Sequence, residues 1–210
     1  MKKMKIDIFR LLLIVSLAFL MISCQFLSAP NVQQDMSQAV QPSATLKSDS
    51  LKTFENDDFS LKYPSDWRTP KEIFGFESKT KHDPDLEADI IFTITNATKS
   101  SFGEKYTAWC SVLTRENSSA QSVAEIITKS YSILKNYQNP EISLRDVAVN
   151  GLSAVEKIYR RPRGEPWYQV RDLWLQQGSR IFIISCWSYP SSFEKNQMYF
   201  DEIIASFIIK

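Results

Sequence analysis

The sequence predicts an α+β domain built mainly from antiparallel strands, and three observations support this. Apolar and polar residues alternate cleanly over Phe59–Tyr63, the period of a half-buried strand. Asn150-Gly151 separates two strand-like segments, and this dipeptide favours a tight hairpin turn. Over residues 122–137 the spacing changes, and apolar residues fall on one helical face until Asn139-Pro140 ends the pattern.

The remaining elements follow from local composition. Pro64 ends the first clear strand, and Ser65 and Asp66 favour a turn. Further strands are predicted at residues 73–76, 90–95, 107–114, 142–149, 152–159, 167–175 and 180–187. The last of these is apolar on both faces, which is typical of a central strand. A closing helix is predicted after Pro190, with one apolar stripe made by Phe193, Phe200, Ile203, Ile204 and Phe207.

The first 24 residues have the parts of a secretory signal in the expected order. A basic start is followed by an apolar run over residues 11–22, which is short for a membrane span. Met21-Ile22-Ser23-Cys24 resembles the lipobox of bacterial lipoproteins. The resemblance implies cleavage before Cys24 and acylation of that cysteine, with chains such as palmitate. The alternatives are an uncleaved anchor or an ordinary secretory signal.

This resemblance divides the chain into a signal peptide at 1–23, a lipid-anchored tether at 24–50 and one domain at 51–210. It implies attachment to the cell membrane or outer membrane, facing the periplasm, lumen or exterior, and Gln25 favours the outer membrane. The tether is polar and without periodicity. After removal of the signal, 21 basic and 23 acidic side chains remain, which does not favour a nucleic-acid partner.

Two cysteines remain beside Cys24. Cys110 and Cys186 lie in strand-like segments of a chain that is expected outside the cytoplasm, where disulfides persist. Two interpretations are open: a disulfide between them, or two separate buried thiols that act as small apolar side chains.

The domain resembles the PsbP-like family, relatives of the extrinsic oxygen-evolving-complex protein of photosystem II. The resemblance covers about residues 52–210 and rests on Phe59–Trp67, on Val149-Asn150-Gly151 and on Phe200–Phe207. It implies an antiparallel sheet flanked by helices, an α/β/α sandwich. Tyr63 and Trp67 are expected in the core.

Catalytic signatures are lacking in the sequence, and we expect no enzyme. There is no phosphate-binding glycine loop, no H-E-x-x-H and no C-x-x-C, and His82 is the one histidine of the chain. No resident cofactor is predicted. A divalent metal such as calcium is an alternative, with ligands from the segment that contains His82, Asp83, Asp85, Glu87 and Asp89. The competing interpretation is a solvated acidic loop.

A basic segment predicts a surface for a partner. Arg160, Arg161 and Arg163 precede Trp167, and guanidiniums near an aromatic ring suit an acidic protein patch or lipid headgroups. The alternative is a solvated hairpin end. Three other tryptophans lie in strands and are expected in the core: Trp109, Trp174 and Trp187.

These observations together predict a non-catalytic, lipid-anchored protein that binds or stabilises a membrane-associated protein complex. That complex would be photosystem II if the host is photosynthetic. The alternative function is a lipoprotein that binds a small ligand or a divalent metal in a cleft between sheet and helices, together with the acidic loop.

Overall fold

The computed structural model describes residues 50–75, 81–97, 107–118, 121–132, 143–161 and 167–210. The predicted signal peptide, the tether up to residue 49 and Cys24 lie outside these ranges. The strands are β1 (Leu51–Glu55), β2 (Phe59–Pro64), β3 (His82–Asp83), β4 (Ala88–Thr95), β5 (Ala108–Glu116), β6 (Ser143–Val149), β7 (Leu152–Arg161), β8 (Tyr168–Gln177), β9 (Arg180–Ser188) and β10 (Ile208–Ile209). The helices are α1 (Pro70–Phe74), α2 (Val123–Ser132) and α3 (Pro190–Ala205).

Most described strands form one antiparallel sheet of seven, in the order β3-β4-β5-β9-β8-β7-β6. The apolar segment that predicted a central strand is β9, which lies in the middle of this order. Ile181, Phe182, Ile183 and Ile184 of β9 are all buried. That prediction is therefore confirmed.

One face of the large sheet packs against α3 and a small sheet in the order β1-β2-β10. The predicted stripe of the closing helix is buried there, and Phe207, although it follows the helix, is buried with it. The ring of Phe59 in β2 lies 5.4 Å from that of Phe207 and 6.5 Å from that of Phe182 in β9. These contacts make the main apolar core.

The opposite face carries a second core beneath α2. Ile126 and Ile127 of this helix cluster with Leu113, Ile183 and Trp174 of three neighbouring strands. The sheet therefore has helices on both faces, as the sequence predicted, and the α+β fold with its layered sandwich is confirmed. No helix among the described segments is both long and apolar enough to span a bilayer.

The strand predicted at residues 73–76 is wrong, since the described part of this segment lies in the short helix α1 and its cap. Thr69 and Glu72 form a capping box: the Thr69 hydroxyl accepts from the Glu72 N–H, and the Glu72 carboxylate accepts from the Thr69 N–H. Pro70 begins the helix, and Gly75 ends it with a left-handed φ of 77°. Phe76 lies outside the described residues.

The hairpin predicted at Asn150-Gly151 joins β6 to β7, with Val149 opposite Leu152. Asn150 and Gly151 have φ values of 50° and 80°, the left-handed conformations that such a turn requires. The Asn150 side-chain amide donates to the carbonyls of Ala205 (3.1 Å) and Phe207 (2.6 Å). The turn thus fixes the end of α3 as well as the register of two strands.

Cys110 and Cys186 face each other on β5 and β9 and form a disulfide, with Cα atoms 4.1 Å apart. Both residues are buried on the face that packs against α3. The bond joins positions 76 residues apart in sequence. It therefore ties the two central strands together inside the main core.

Candidate functional site

The acidic segment and the basic segment identified in the sequence contact each other. The guanidinium of Arg161 donates two hydrogen bonds to the carboxylate of Asp83, each 2.8 Å long, and it also contacts Asp85. Only 11% of the Arg161 side chain is exposed. The acidic segment was a candidate metal site and the basic segment a candidate partner surface. In the structure the two segments meet in one buried ion pair.

Electrostatics favour the charged form of both partners. Burial acts to raise the pKa of Asp83, but the hydrogen bonds and charge of Arg161 outweigh it and hold that pKa below its usual value. Burial likewise acts to lower the pKa of Arg161, and the carboxylates raise it overall. Asp83 also accepts backbone N–H bonds from Asp85 (3.0 Å) and Leu86 (3.2 Å), which shapes the turn after β3.

The other predicted metal ligands are also engaged by side chains within the domain. Glu87 lies 3.2 Å from Arg115, and His82 Nδ1 lies 2.8 Å from the carboxylate of Asp89. Within the ranges that the structure describes, no three or more His, Cys, Asp or Glu side chains are grouped to hold a metal ion. The five predicted ligands are thus divided among three groups: Asp83 and Asp85 with Arg161, Glu87 with Arg115, and His82 with Asp89. This geometry does not favour the metal hypothesis.

The predicted basic surface is also divided. Arg160 and Arg161 are neighbours in β7, so their side chains point to opposite faces of the sheet. Arg160 is exposed and lies 3.4 Å from the Gln169 side chain, whereas Arg161 turns inward to Asp83. Trp167 is half-buried, and Arg163 lies outside the described residues. The side chain of Arg161 is therefore turned away from that of Arg160 and is bound within the domain.

The face beneath α2 carries a row of polar residues that the sequence analysis missed. One residue on each of five neighbouring strands, from β4 across to β7, lies opposite the next in register. The row consists of Thr93, Ser111, Ser185, Asp172 and Lys157. Inner sheet faces are ordinarily apolar, so this row is the clearest site-like feature of the described chain.

Lys157 and Asp172 lie at the β7–β8 end of the row and are buried. The Tyr159 hydroxyl donates to Asp172 Oδ2 at 3.0 Å, and the Lys157 ammonium lies 5.1 Å from the centre of the Tyr159 ring. Burial lowers the pKa of Lys157 from 10.5 to about 7, although the charge of Asp172 opposes that shift.

At the β4–β5 end of the row, the polar side chains are partly exposed and lie beside aromatic rings. The hydroxyls of Thr93 and Ser111 are 3.0 Å apart, and both residues are half-buried. Trp109 and Trp187 are stacked with ring centres 5.5 Å apart and planes within 11°. Both tryptophans are half-buried rather than in the core, whereas Trp174 is buried as expected. Hydroxyls and indoles thus lie side by side on this face.

Comparisons with known proteins identify the family. The sequence model of the PsbP-like protein family matches residues 11–209. The chain belongs to the PsbP-like family. No curated protein sequence matches it significantly.

Solved structures resemble this PsbP-like chain at low identity. The cyanobacterial PsbP (CyanoP) of Synechocystis has a TM-score of 0.50 at 13% identity, covering 81% of this chain and all of its own. LpqN of Mycobacterium tuberculosis, involved in cell envelope biogenesis, has a TM-score of 0.51 at 11% identity, covering 76% of this chain and 90% of its own. At such identities these matches establish the fold alone.

The family signature is structural in this PsbP-like chain. Tyr63 and Trp67 are buried in the main core, as expected. The Trp67 N–H donates to the Pro64 carbonyl at 3.0 Å, which closes the turn between them. The signature therefore stabilises the domain and does not line the polar row.

A sequence signal for the missed features does exist. Arg171-Asp172 lies in the middle of the otherwise apolar part of β8 and places one charge on each face of the sheet. On the α3 face, Arg171 binds Glu156 at 2.8 Å and Asp201 of α3 at 2.5 Å. Two adjacent charged residues inside an apolar strand were therefore a sequence signal for buried polar groups on both faces of the sheet.

Proposed function

We propose that the chain is a lipid-anchored, extracytoplasmic PsbP-like protein that acts without catalysis by binding a membrane-associated protein complex. One observation carries the proposal: the PsbP-like family match over residues 11–209 includes a lipobox-like segment that ends at Cys24. Two or more acyl chains hold a protein on a bilayer stably, so its partners would be at the same membrane surface.

The state of the reactive side chains supports a binding role. Cys110 and Cys186 are joined in a disulfide, so neither is a free nucleophile. His82, the one histidine of the chain, lies in the edge strand β3 and is paired with Asp89. The family membership favours the same conclusion.

We place the partner surface at the outer end of the β7–β8 hairpin. Arg160 is exposed there and Trp167 is half-buried, a combination that suits an acidic partner. Arg163 belongs to the same segment of sequence. Arg161 is excluded because its charge is already compensated by Asp83 and Asp85.

The relatives suggest the kind of partner. CyanoP is a cyanobacterial PsbP, and LpqN takes part in cell envelope biogenesis. In a photosynthetic host, photosystem II is the complex that we propose, and in another host an envelope complex is proposed.

The test is crosslinking and affinity capture from native membranes, with a Cys24→Ala chain as the unanchored control. We expect the lipidated chain to recover one membrane complex that the control loses. If the Cys24→Ala control is soluble and still recovers the same complex, the proposed role of the anchor is contradicted. Failure of both the anchored chain and the control to recover any complex would contradict the proposed binding function.

A matched pair of variants tests the surface. Arg160→Glu reverses an exposed charge at the hairpin, and Arg68→Glu reverses an exposed charge elsewhere. Capture should fall markedly with Arg160→Glu and remain unchanged with Arg68→Glu. An equal effect of the two variants would show that only net charge matters and that the hairpin is not the partner surface.

A further inference from the structure

We propose that the sheet face beneath α2 binds a neutral, hydroxyl-rich ring, such as one sugar unit, against the indoles of Trp109 and Trp187 and the hydroxyls of Thr93 and Ser111. These four residues, with Ser185, are called the hydroxyl–indole site. The proposal goes beyond the scaffold function, since it concerns a ligand of the domain itself.

The first observation is the position of the hydroxyls. Two residues away along the strand, the same face carries Leu113 on β5 and Ile183 on β9, which pack in the cluster with α2. If this face only supported a helix, apolar side chains would suit the neighbouring row equally well, as they do on most covered sheet faces. Instead, hydroxyls occupy three adjacent strands in register: Thr93, Ser111 and Ser185.

The second observation is the pair of indoles. Trp109 precedes Ser111 by two residues and Trp187 follows Ser185 by two, so both rings lie on the same face as the hydroxyls. The indoles are stacked and half-buried, and Tyr168 lies edge-on to Trp187 with ring centres 4.6 Å apart. Apolar walls with a few convergent polar groups are typical of small-molecule sites. A sugar ring presents a C–H face to such a wall and hydroxyls at its rim.

Charge selects the class of ligand. The strand cations of this face each lie beside a carboxylate: Lys157 beside Asp172, Arg161 beside Asp83, and Arg115 beside Glu87. Among the described residues of this face, no large excess of positive or negative charge therefore attracts an anion or a cation. The hydroxyls of Thr93 and Ser111 each donate and accept hydrogen bonds, which matches the hydroxyls of a neutral sugar.

The test uses the full-length protein in a detergent without a sugar headgroup. Binding of glucose, N-acetylglucosamine and maltose is measured by tryptophan fluorescence and by ligand-observed NMR. Glucose 6-phosphate serves as the anionic probe and indole as the planar aromatic probe. We expect at least one neutral sugar to bind and both comparison probes to bind more weakly.

Substitutions locate the site. Thr93→Val preserves shape and removes a hydroxyl, Ser111→Ala removes another, and Trp109→Phe reduces the aromatic surface. Each should weaken sugar binding about fivefold or more. Thr93→Ser should retain binding, which separates the loss of the hydroxyl from a loss of folding. Thr53→Val, at an exposed position of β1, is the matched control and should bind as the wild type does.

Three outcomes would overturn the proposal. The first is that none of the neutral sugars binds. The second is that only glucose 6-phosphate or indole binds, which would assign the face to another chemistry. The third is that the sugar affinity is equal in wild type, Thr93→Val and Ser111→Ala. None of these outcomes bears on capture of a complex at the β7–β8 hairpin, so the two proposals fail independently.

Discussion

Arg161 of β7 binds Asp83 of β3 through two parallel hydrogen bonds of 2.8 Å, although β4, β5, β9 and β8 lie between their strands in the sheet order. The two residues are 78 positions apart in sequence. Leu86, three residues after Asp83, is buried in the cluster beneath α2. The ion pair therefore holds the segment after β3 against the face that contains the polar row.

Removal of Arg161 should destabilise the domain strongly. Arg161→Ala leaves the buried carboxylate of Asp83 without its guanidinium, and we expect a loss of about 3–5 kcal/mol in the free energy of unfolding by urea. Arg160→Ala, the exposed neighbour, is the control and should cost about 0.5 kcal/mol or less. In the double variant Asp83→Ala/Arg161→Ala the loss should be smaller than the sum of the single losses, and additivity would show that the pair is not coupled.

The stability of the domain should depend on Lys157 at alkaline pH. The pKa of Lys157 is lowered from 10.5 to about 7, so the unfolded chain binds more protons than the folded chain between those values. The cost of the buried charge is complete below about pH 7 and is relieved as the pH rises through this window. The free energy of unfolding should therefore rise with pH relative to that of Lys157→Met, by at most about 1.4 kcal/mol per pH unit.

Urea unfolding of both proteins at several pH values from neutral to alkaline measures this difference. Lys62→Met, at an exposed position of β2, should follow the wild-type profile. If the free energy of unfolding changed with pH equally in the wild type and Lys157→Met, the predicted uptake of a proton by Lys157 on unfolding would be refuted.

Loss of the disulfide should destabilise the domain without changing its fold. The bond between Cys110 and Cys186 closes a long loop of the unfolded chain and is buried, so Cys110→Ala/Cys186→Ala should cost about 2–4 kcal/mol. Thermal unfolding in a Cys24→Ala background excludes effects of the first cysteine. Alkylation of two thiols in the native protein without reductant would show that the bond is absent.

Asn150 should contribute to stability in two separable ways. Asn150→Gly retains the left-handed backbone and removes the two hydrogen bonds to Ala205 and Phe207, and should cost about 1–2 kcal/mol. Asn150→Ala adds backbone strain and should cost more. Thermal unfolding of the two variants gives the comparison, and equal stability of wild type and Asn150→Gly would show that the amide does not anchor α3.

Local sequence patterns predicted most of the sheet because strand, turn and helix preferences act over short distances. The alternation in β2, the Asn150-Gly151 turn and the apolar β9 were all found in the structure. The strands β1, β3 and β10 were not predicted, and the segment of α1 was predicted as a strand because Ile73 and its neighbours are compatible with one. There the capping box of Thr69 and Glu72 decided in favour of a helix.

The sites could not be predicted in the same way. Asp83 and Arg161 each had a plausible solvated or functional interpretation, and nothing near either residue in sequence indicates the other. The polar row joins residues from five strands, and their alignment depends on the sheet order and the register. A shift of one residue in any strand would point its side chain to the other face.

The sequence by itself determined the strand and hairpin pattern, the α+β class and the resemblance to the PsbP-like family, since each depends on residues close together along the chain. Only the tertiary structure decided which charges face each other, whether Cys110 and Cys186 form a bond, and which hydroxyls share a face. These pairings arise when distant strands align, because desolvation then makes each buried polar group depend on a partner that chain position does not reveal.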